Sequence, residues 1–235
     1  MEQEIVRIDL GGVNCYLIKQ GVNFFLIDTG GHLFLDKKFD NGRETLETEL
    51  KNHGCDAANL KLVILTHGHN DHAASAAYVR ATYNAKIAMH PKDVNLVESP
   101  TLEKVMGDCQ YLSPVNKLVF AVMKGPITKI SKKILDDFES FTPDILTDEG
   151  FDLSTYGFNA KVIHIPGHTK GSIGILTEQG GLFVGDVFTN MGKPAIAPNA
   201  YDYKILKNSI KRIKSLNVKT IYPGHGTPFD AAQLH

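Results

Sequence analysis

The sequence predicts an α/β domain, and three features carry that expectation. Short apolar runs rich in Val, Ile and Leu stop at glycine or proline, as strands do. Amphipathic stretches with helical spacing stand between them. Polar segments with histidine and aspartate follow directly on several of the strand ends. The 235 residues are 43% apolar, which suits a single domain over 1–235 with a substantial core.

Ile5 to Leu10, Asn14 to Ile18 and Phe24 to Ile27 read as strands parted by turn signals at Gly11-Gly12 and Gln20-Gly21. The third runs into Asp28-Thr29-Gly30-Gly31. Asp28 is either a turn residue or an acceptor supporting a metal-binding histidine from behind, and its local sequence favours the turn. Glu44 to His53 carries Leu46 and Leu50 four apart among charges, a helix stopped by Gly54. Leu62 to Leu65 is a buried strand, Ala73 to Arg80 a helix-forming stretch, and Lys86 to Met89 a strand ended by His90-Pro91. Residues 99–149 hold four scattered prolines and read as a helical insertion, too small to stand alone. Within it Leu118 to Met123 and Ile127 to Phe138 are helix-like pieces, apolar on one side, with a break at Gly125-Pro126. A lid or substrate wall, packing on the core and a homodimer contact all remain open for these faces. Lys161 to Ile165 and Leu182 to Asp186 are strands, Tyr203 to Leu216 an amphipathic helix, and Thr220 to Tyr222 a last strand.

Between the fourth strand and its helix lies Thr66-His67-Gly68-His69-Asn70-Asp71-His72, in which four of seven residues can bind a metal. His67 and His69 are two apart and point the same way in an extended segment. Asp71 and His72 fall at the helix entry, where a carboxylate also suits the helix dipole. Such a loop can aim two imidazoles at one metal and a carboxylate and imidazole at a second. It cannot finish a hydrolytic site alone, because zinc needs three protein ligands besides water. His168 in Pro166-Gly167-His168-Thr169, Asp186 at the end of a strand and His225 in Pro223-Gly224-His225-Gly226 supply more. The total of five histidines and two aspartates suits two metals with open positions for water.

This constellation resembles the metallo-β-lactamase superfamily, as do the opening strands around Asn14-Cys15-Tyr16 and Leu26-Ile27-Asp28-Thr29-Gly30. The resemblance implies a four-layer αββα sandwich, two mixed sheets covered by helices, with the site at one edge. It implies that His67, His69 and His168 hold a first metal, that Asp71, His72 and His225 hold a second, and that Asp186 bridges. It moves Asp28 from turn residue to support of the site. It further implies two divalent ions, zinc first and iron or manganese otherwise, and a metal-bridging hydroxide that attacks an ester-type bond while Asp71 takes the proton. The motifs look most like the glyoxalase II-like branch of thioester hydrolases. The chain ends about ten residues after His225, without that enzyme's glutathione-binding helical domain. Lactonases share the metal set, and a mononuclear-iron persulfide dioxygenase is the alternative reading.

The formal net charge of −1 leaves no electrostatic footprint for nucleic acid. The acidic start Met1-Glu2-Gln3-Glu4 is no signal peptide, and no apolar run spans a membrane. Cys15, Cys55 and Cys109 are odd in number and widely spaced, which reads as reduced thiols of a cytoplasmic protein rather than metal ligands. The expected partner is a small-molecule substrate.

Overall fold

The computed structural model describes residues 2–32, 42–106 and 109–234, so Met1 and residues 107–108 of the expected insertion lie outside the described residues. Strands β1 (Gln3–Asp9), β2 (Asn14–Gln20) and β3 (Asn23–Ile27) form an antiparallel meander. After α1 (Arg43–Asn52), β4 (Leu60–Ile64) pairs with β3 in parallel. After α2 (Asn70–Ala73) and α3 (Ala76–Tyr83), β5 (Lys86–Met89) pairs with β4 in the same sense. Then come α4 (Val94–Glu98), α5 (Leu102–Met106), β6 (Gln110–Tyr111), α6 (Pro114–Asp137) and β7 (Ile145–Leu146). The first sheet has the order β1-β2-β3-β4-β5-β7, with β1 at one edge.

The second sheet draws on β8 (Ala160–His164), β9 (Ile173–Thr177), β10 (Gly181–Asn190) and β11 (Ala195–Ile196). After β12 (Asn199–Ala200) and α7 (Tyr203–Ser215), β13 (Thr220–Gly226) and β14 (Phe229–Asp230) complete it in the order β14-β13-β10-β9-β8, with β11 on β10.

Side chains alternate across a strand, and that period divides the apolar residues among three cores. Leu17, Leu26, Val63 and Ile87 share a cluster with Leu46 and Leu50 of α1 and with Val79 and Tyr83 of α3. Their neighbours Ile18, Phe25, Ile27, Leu62 and Ile64 face inward and meet Val162, Ile175 and Phe183 of the second sheet. Ile163, Leu182, Val184 and Ile221 take the opposite face and meet Leu206, Ile210 and Ile213 of α7. Each such burial stabilises by roughly 1.5–3 kcal/mol. The layers are therefore helix, sheet, sheet, helix, the αββα sandwich. Among the described residues no helix is long and apolar enough to cross a membrane.

Four elements differ from the sequence reading. The stretch from Ala73 is two helices, because Ala73 is drawn into a bridge with Gly30 and Ala74 N–H donates to Gly30 O (3.1 Å). β10 and β13 run past Asp186 and His225 instead of stopping at or before them; the pair shifts register on either side of Gly185, and such irregularities re-aim side chains without ending the strand. The break at Gly125-Pro126 does not occur, since α6 is one 24-residue helix with Pro126 inside it. Its two halves are held in line at separate anchors: Phe120 stacks on Tyr111 at 4.4 Å, and Ser131 and Ile134 are buried. Finally, β7 lies within 99–149 yet belongs to the first sheet, so the helical part of that region ends with α6.

Candidate metal centre

β3, β4 and β5 are parallel, so the segments that follow them emerge at one edge of the sandwich. Asp28 follows β3 directly, and Thr66 to His72 begin two residues after β4. The second sheet brings His168 from the loop after β8, Asp186 from β10 and His225 from β13. All seven donors converge in two groups. His67, His69 and His168 place one ligand atom each within 4.8 Å of one another; so do Asp71, His72, Asp186 and His225. Asp186 stands between the groups, its Oδ1 3.2 Å from His72 Nε2 and its Oδ2 3.2 Å from His225 Nε2 and 3.6 Å from His168 Nε2. Gly224 makes room for this approach: a Cβ there would lie 2.6 Å from His72 Cε1 and also against Asp186 Oδ1.

Behind the donors stands a set of supports. Asp28 is buried and accepts from Thr66 N (2.8 Å), Thr66 Oγ1 (2.8 Å) and His72 Nδ1 (2.8 Å). Its backbone sits at φ 58, a left-handed conformation that aspartate tolerates better than most side chains. It thus both turns the chain and holds a histidine, joining the two roles its sequence suggests. The Thr66 hydroxyl, spent as donor on Asp28, accepts from His67 Nδ1 (3.0 Å). His168 Nδ1 donates to Asn199 O (3.1 Å), and His225 Nδ1 to Gly12 O (2.7 Å). With Nδ1 engaged at the rear, Nε2 of these rings faces the centre, the arrangement of ligating histidines. Asn14 Nδ2 donates to Pro223 O (2.9 Å) and Gly226 O (2.6 Å), gripping the turn that carries His225. Sequence reading misses Thr66, Asn14 and the Gly12 carbonyl, for no local pattern marks a residue whose partner is in another strand.

The residues fit cations. His67 Nε2, His72 Nε2 and Asp186 Oδ1 are buried without a hydrogen-bond partner. Buried polar atoms are nearly always satisfied, so these three, one in the first group and two facing each other at 3.2 Å in the second, suit ligands of positive ions. Electrostatics separates the two groups. Burial holds His67 well below the ordinary imidazole pKa, lowers His69, and brings His168 down to about 4. Burial also works against a charged His72, but Asp186, Asp71 and Asp28 outweigh it and push its pKa up to about 10. Asp186, foremost, and Asp71 raise His225 to about 12. The carboxyls answer in kind: burial opposes their ionisation, yet His72 and His225 lower Asp71 to about 2 and hold Asp186 well below the usual carboxylate range.

A third group, His90, Asp148 and His164, also has ligand-like spacing. It does not suit a metal. His90 Nδ1 accepts from Lys92 N (3.1 Å), so the neutral ring carries its hydrogen on Nε2, which donates to Asp148 (3.2 Å). A cavity of about 620 Å³ opens beside His69 and His168 and is lined in part by Leu96, Val105 and Tyr201 and by Lys92, Lys104 and Lys170. None of the three metal-type groups contains a cysteine; Cys15 and Cys55 are buried, and burial raises both thiol pKa values.

Comparison with known proteins agrees with this geometry. The chain is 29% identical over 234 residues to the hydroxyacylglutathione hydrolase GloC of Haemophilus influenzae, spanning 97% of this chain and 92% of that protein. A metallo-beta-lactamase family protein from Thermus thermophilus superposes with a TM-score of 0.72 at 20% identity, over 98% of this chain and 75% of that one. The protein TTHA1623, solved in a di-iron-bound form, superposes with a TM-score of 0.61 at 22% identity, over 98% and 96% of the two chains. The Metallo-beta-lactamase superfamily matches residues 8–225, and this chain belongs to that superfamily as one of its metal-dependent hydrolases.

Proposed function

We propose that the protein is a binuclear hydrolase of an ester-type bond, a thioester first and a lactone second. The observation that carries this reading is the convergence of seven donors in two groups that share Asp186. His67, His69 and His168 would hold one ion, Asp71, His72 and His225 the other, with Asp186 between them. Bound divalent cations supply Lewis acidity toward a carbonyl oxygen and bring the pKa of water toward neutrality. Imidazole and carboxylate donors suit zinc and also admit iron or manganese; the di-iron neighbour keeps iron in view.

The chain's own residues do the rest. Asp71 is ionised at neutral pH and its side chain is 27% exposed, so it can take a proton from the attacking water and pass it to solvent. The cavity beside His69 and His168 receives the acyl portion. Three lysines against Asp93 and Glu103 leave an excess of positive charge that favours a substrate carrying negative charge, and the wall takes Thr101, Glu103, Lys104 and Val105 from the α5 region. The relative named as a hydroxyacylglutathione hydrolase supports a thioester among the candidates. A mononuclear-iron persulfide dioxygenase would share much of this donor set, and the number of ions held separates the two readings.

Metal loading followed by elemental analysis tests the proposal. Two ions per chain are expected, together with hydrolysis of acyl thioesters. A plateau at one ion that His225→Ala leaves untouched would overturn the binuclear reading.

A further inference from the structure

Asp93 is 1% exposed and stands outside the seven donors. Its carboxylate takes three hydrogen bonds. Oδ2 accepts from Gly68 N (3.0 Å) and from Thr169 Oγ1 (2.7 Å), and Oδ1 accepts from Gly171 N (2.7 Å). Gly68 is the residue between His67 and His69, and Thr169 follows His168 directly. One buried carboxylate therefore ties the loop after β4 to the loop after β8, and these are the two loops that carry the three-histidine group. Both glycines are shaped to it. A Cβ on Gly68 would lie 2.8 Å from Leu96 Cβ and 2.9 Å from Asp93 O, and one on Gly171 would lie 2.6 Å from Asp93 Cγ. The Thr169 loop is stiffened further, since Ser172 Oγ accepts from Thr169 N (3.0 Å) and lies 2.8 Å from Thr169 Oγ1.

We infer that Asp93 is a positioning residue that sets the spacing of His67 and His69 against His168, and so governs metal binding at that group alone. Asp28 differs from it in reach: it takes one donor from His72 and two from Thr66, whose hydroxyl in turn accepts from His67 Nδ1, so it stands behind both groups. Asp28 also bonds a ligand ring directly, whereas Asp93 acts through two backbone N–H groups and the Thr169 hydroxyl. The inference rests on reading the three histidines as metal ligands.

Asp93→Asn is the sharp test, because it keeps the shape. Wherever the amide nitrogen is placed, it faces the N–H of Gly171 or of Gly68, and one buried backbone donor loses its acceptor. Metal-free full-length protein is titrated with cobalt(II), reading stoichiometry, affinity and the visible d–d bands. Asp93→Asn is expected to weaken the ion held by His67, His69 and His168 by ~10- to 100-fold, the range for partners behind metal ligands, and to alter its bands. The second ion should bind as in the wild type, whereas Asp28→Asn, which touches His72 directly and His67 through Thr66, should weaken both. Thr169→Val removes one donor to Asp93 and should give a smaller effect of the same kind; it decides the matter if Asp93→Asn does not fold. Equal weakening of both ions, or a lower melting temperature with an unchanged cobalt titration, would overturn the inference. A wild-type chain that takes one cobalt ion would sink the binuclear reading instead; Asp93 would then be judged on that ion.

Discussion

The imidazoles of His67, His69 and His168 are kept neutral by burial, whereas His72 and His225, on the other side of Asp186, hold protons against two carboxylates. The two groups share one edge of the fold and one residue, yet they present different obstacles to a cation. At the first, lone pairs are ready at neutral pH. At the second, an ion must displace protons from His72 and His225 before it can be held, and it gains two ionised carboxylates in return. Similar donors at similar spacing can therefore differ in affinity, in order of filling and in sensitivity to pH.

The largest effect should come from removing what the groups share. Asp186→Ala should cost activity and the second ion by more than the ~100-fold that a supporting residue costs. It also leaves His72 and His225 facing each other with only Asp71 near both. Asp71→Ala should be milder in metal content and severe in turnover. Metal analysis beside kcat decides it, and equal retention of both ions in Asp186→Ala would remove that residue from the bridging position.

The next effect concerns protons. His72 and His225 have pKa values raised to about 10 and about 12, so both are protonated in the metal-free protein at pH 7. Filling their group should release protons, and its affinity should fall as pH falls. The group of His67, His69 and His168 has lowered values and should fill with little release until the pH approaches the region of His168, about 4. Metal titration in weak buffer with a pH indicator reads this directly. Equal proton release for both ions would erase the contrast.

The smallest effect lies in the substrate wall. Val105→Ala should raise KM for bulky acyl groups by an amount worth ~1–3 kcal/mol at most, with the metals in place. Phe120→Ala should leave KM alone and lower stability by about 1 kcal/mol through the lost Tyr111 stack. Parallel kinetics and melts of the two variants check the assignment, and a KM change in Phe120→Ala would return α6 to the wall.

All seven donors are legible in the sequence because each announces itself locally. Four sit within one heptapeptide, and the other three stand at the ends of apolar runs, each beside glycine. The supports are not legible locally. Asp28 looks like a turn residue because the donors it accepts from come 38 and 44 residues later, and only the family resemblance moves it behind the site. Asp93 draws no notice in the sequence for the same reason, since its partners at Thr169 and Gly171 are 76 and 78 residues away. The layers come only through the family resemblance, for in the sequence Leu17-Ile18 and Val63-Ile64 are continuous apolar runs, buried on both faces, that do not say which side meets helix and which meets sheet. Region 99–149 is where pattern reading fails. Helical spacing of Val115, Leu118, Val119 and Val122 reveals an apolar face but not its surroundings, and these side chains are 53–74% exposed. Proline, a strong local signal for a break, is overridden at Pro126 by anchors on both halves of the helix.

The edge strand β1 bears on aggregation as well as on the site. An unpaired seven-residue edge offers a template to which another chain can add, and charged side chains are the usual defence. Here Glu4, Arg7 and Asp9 supply the charge. Arg7 pairs with Asp9, and its Nε donates to Asn14 Oδ1 (2.9 Å), the amide that grips the turn around His225. The guanidinium that guards the sheet edge from strangers is thus one amide removed from the turn that carries His225, and replacing Arg7 would expose the edge and loosen that turn together.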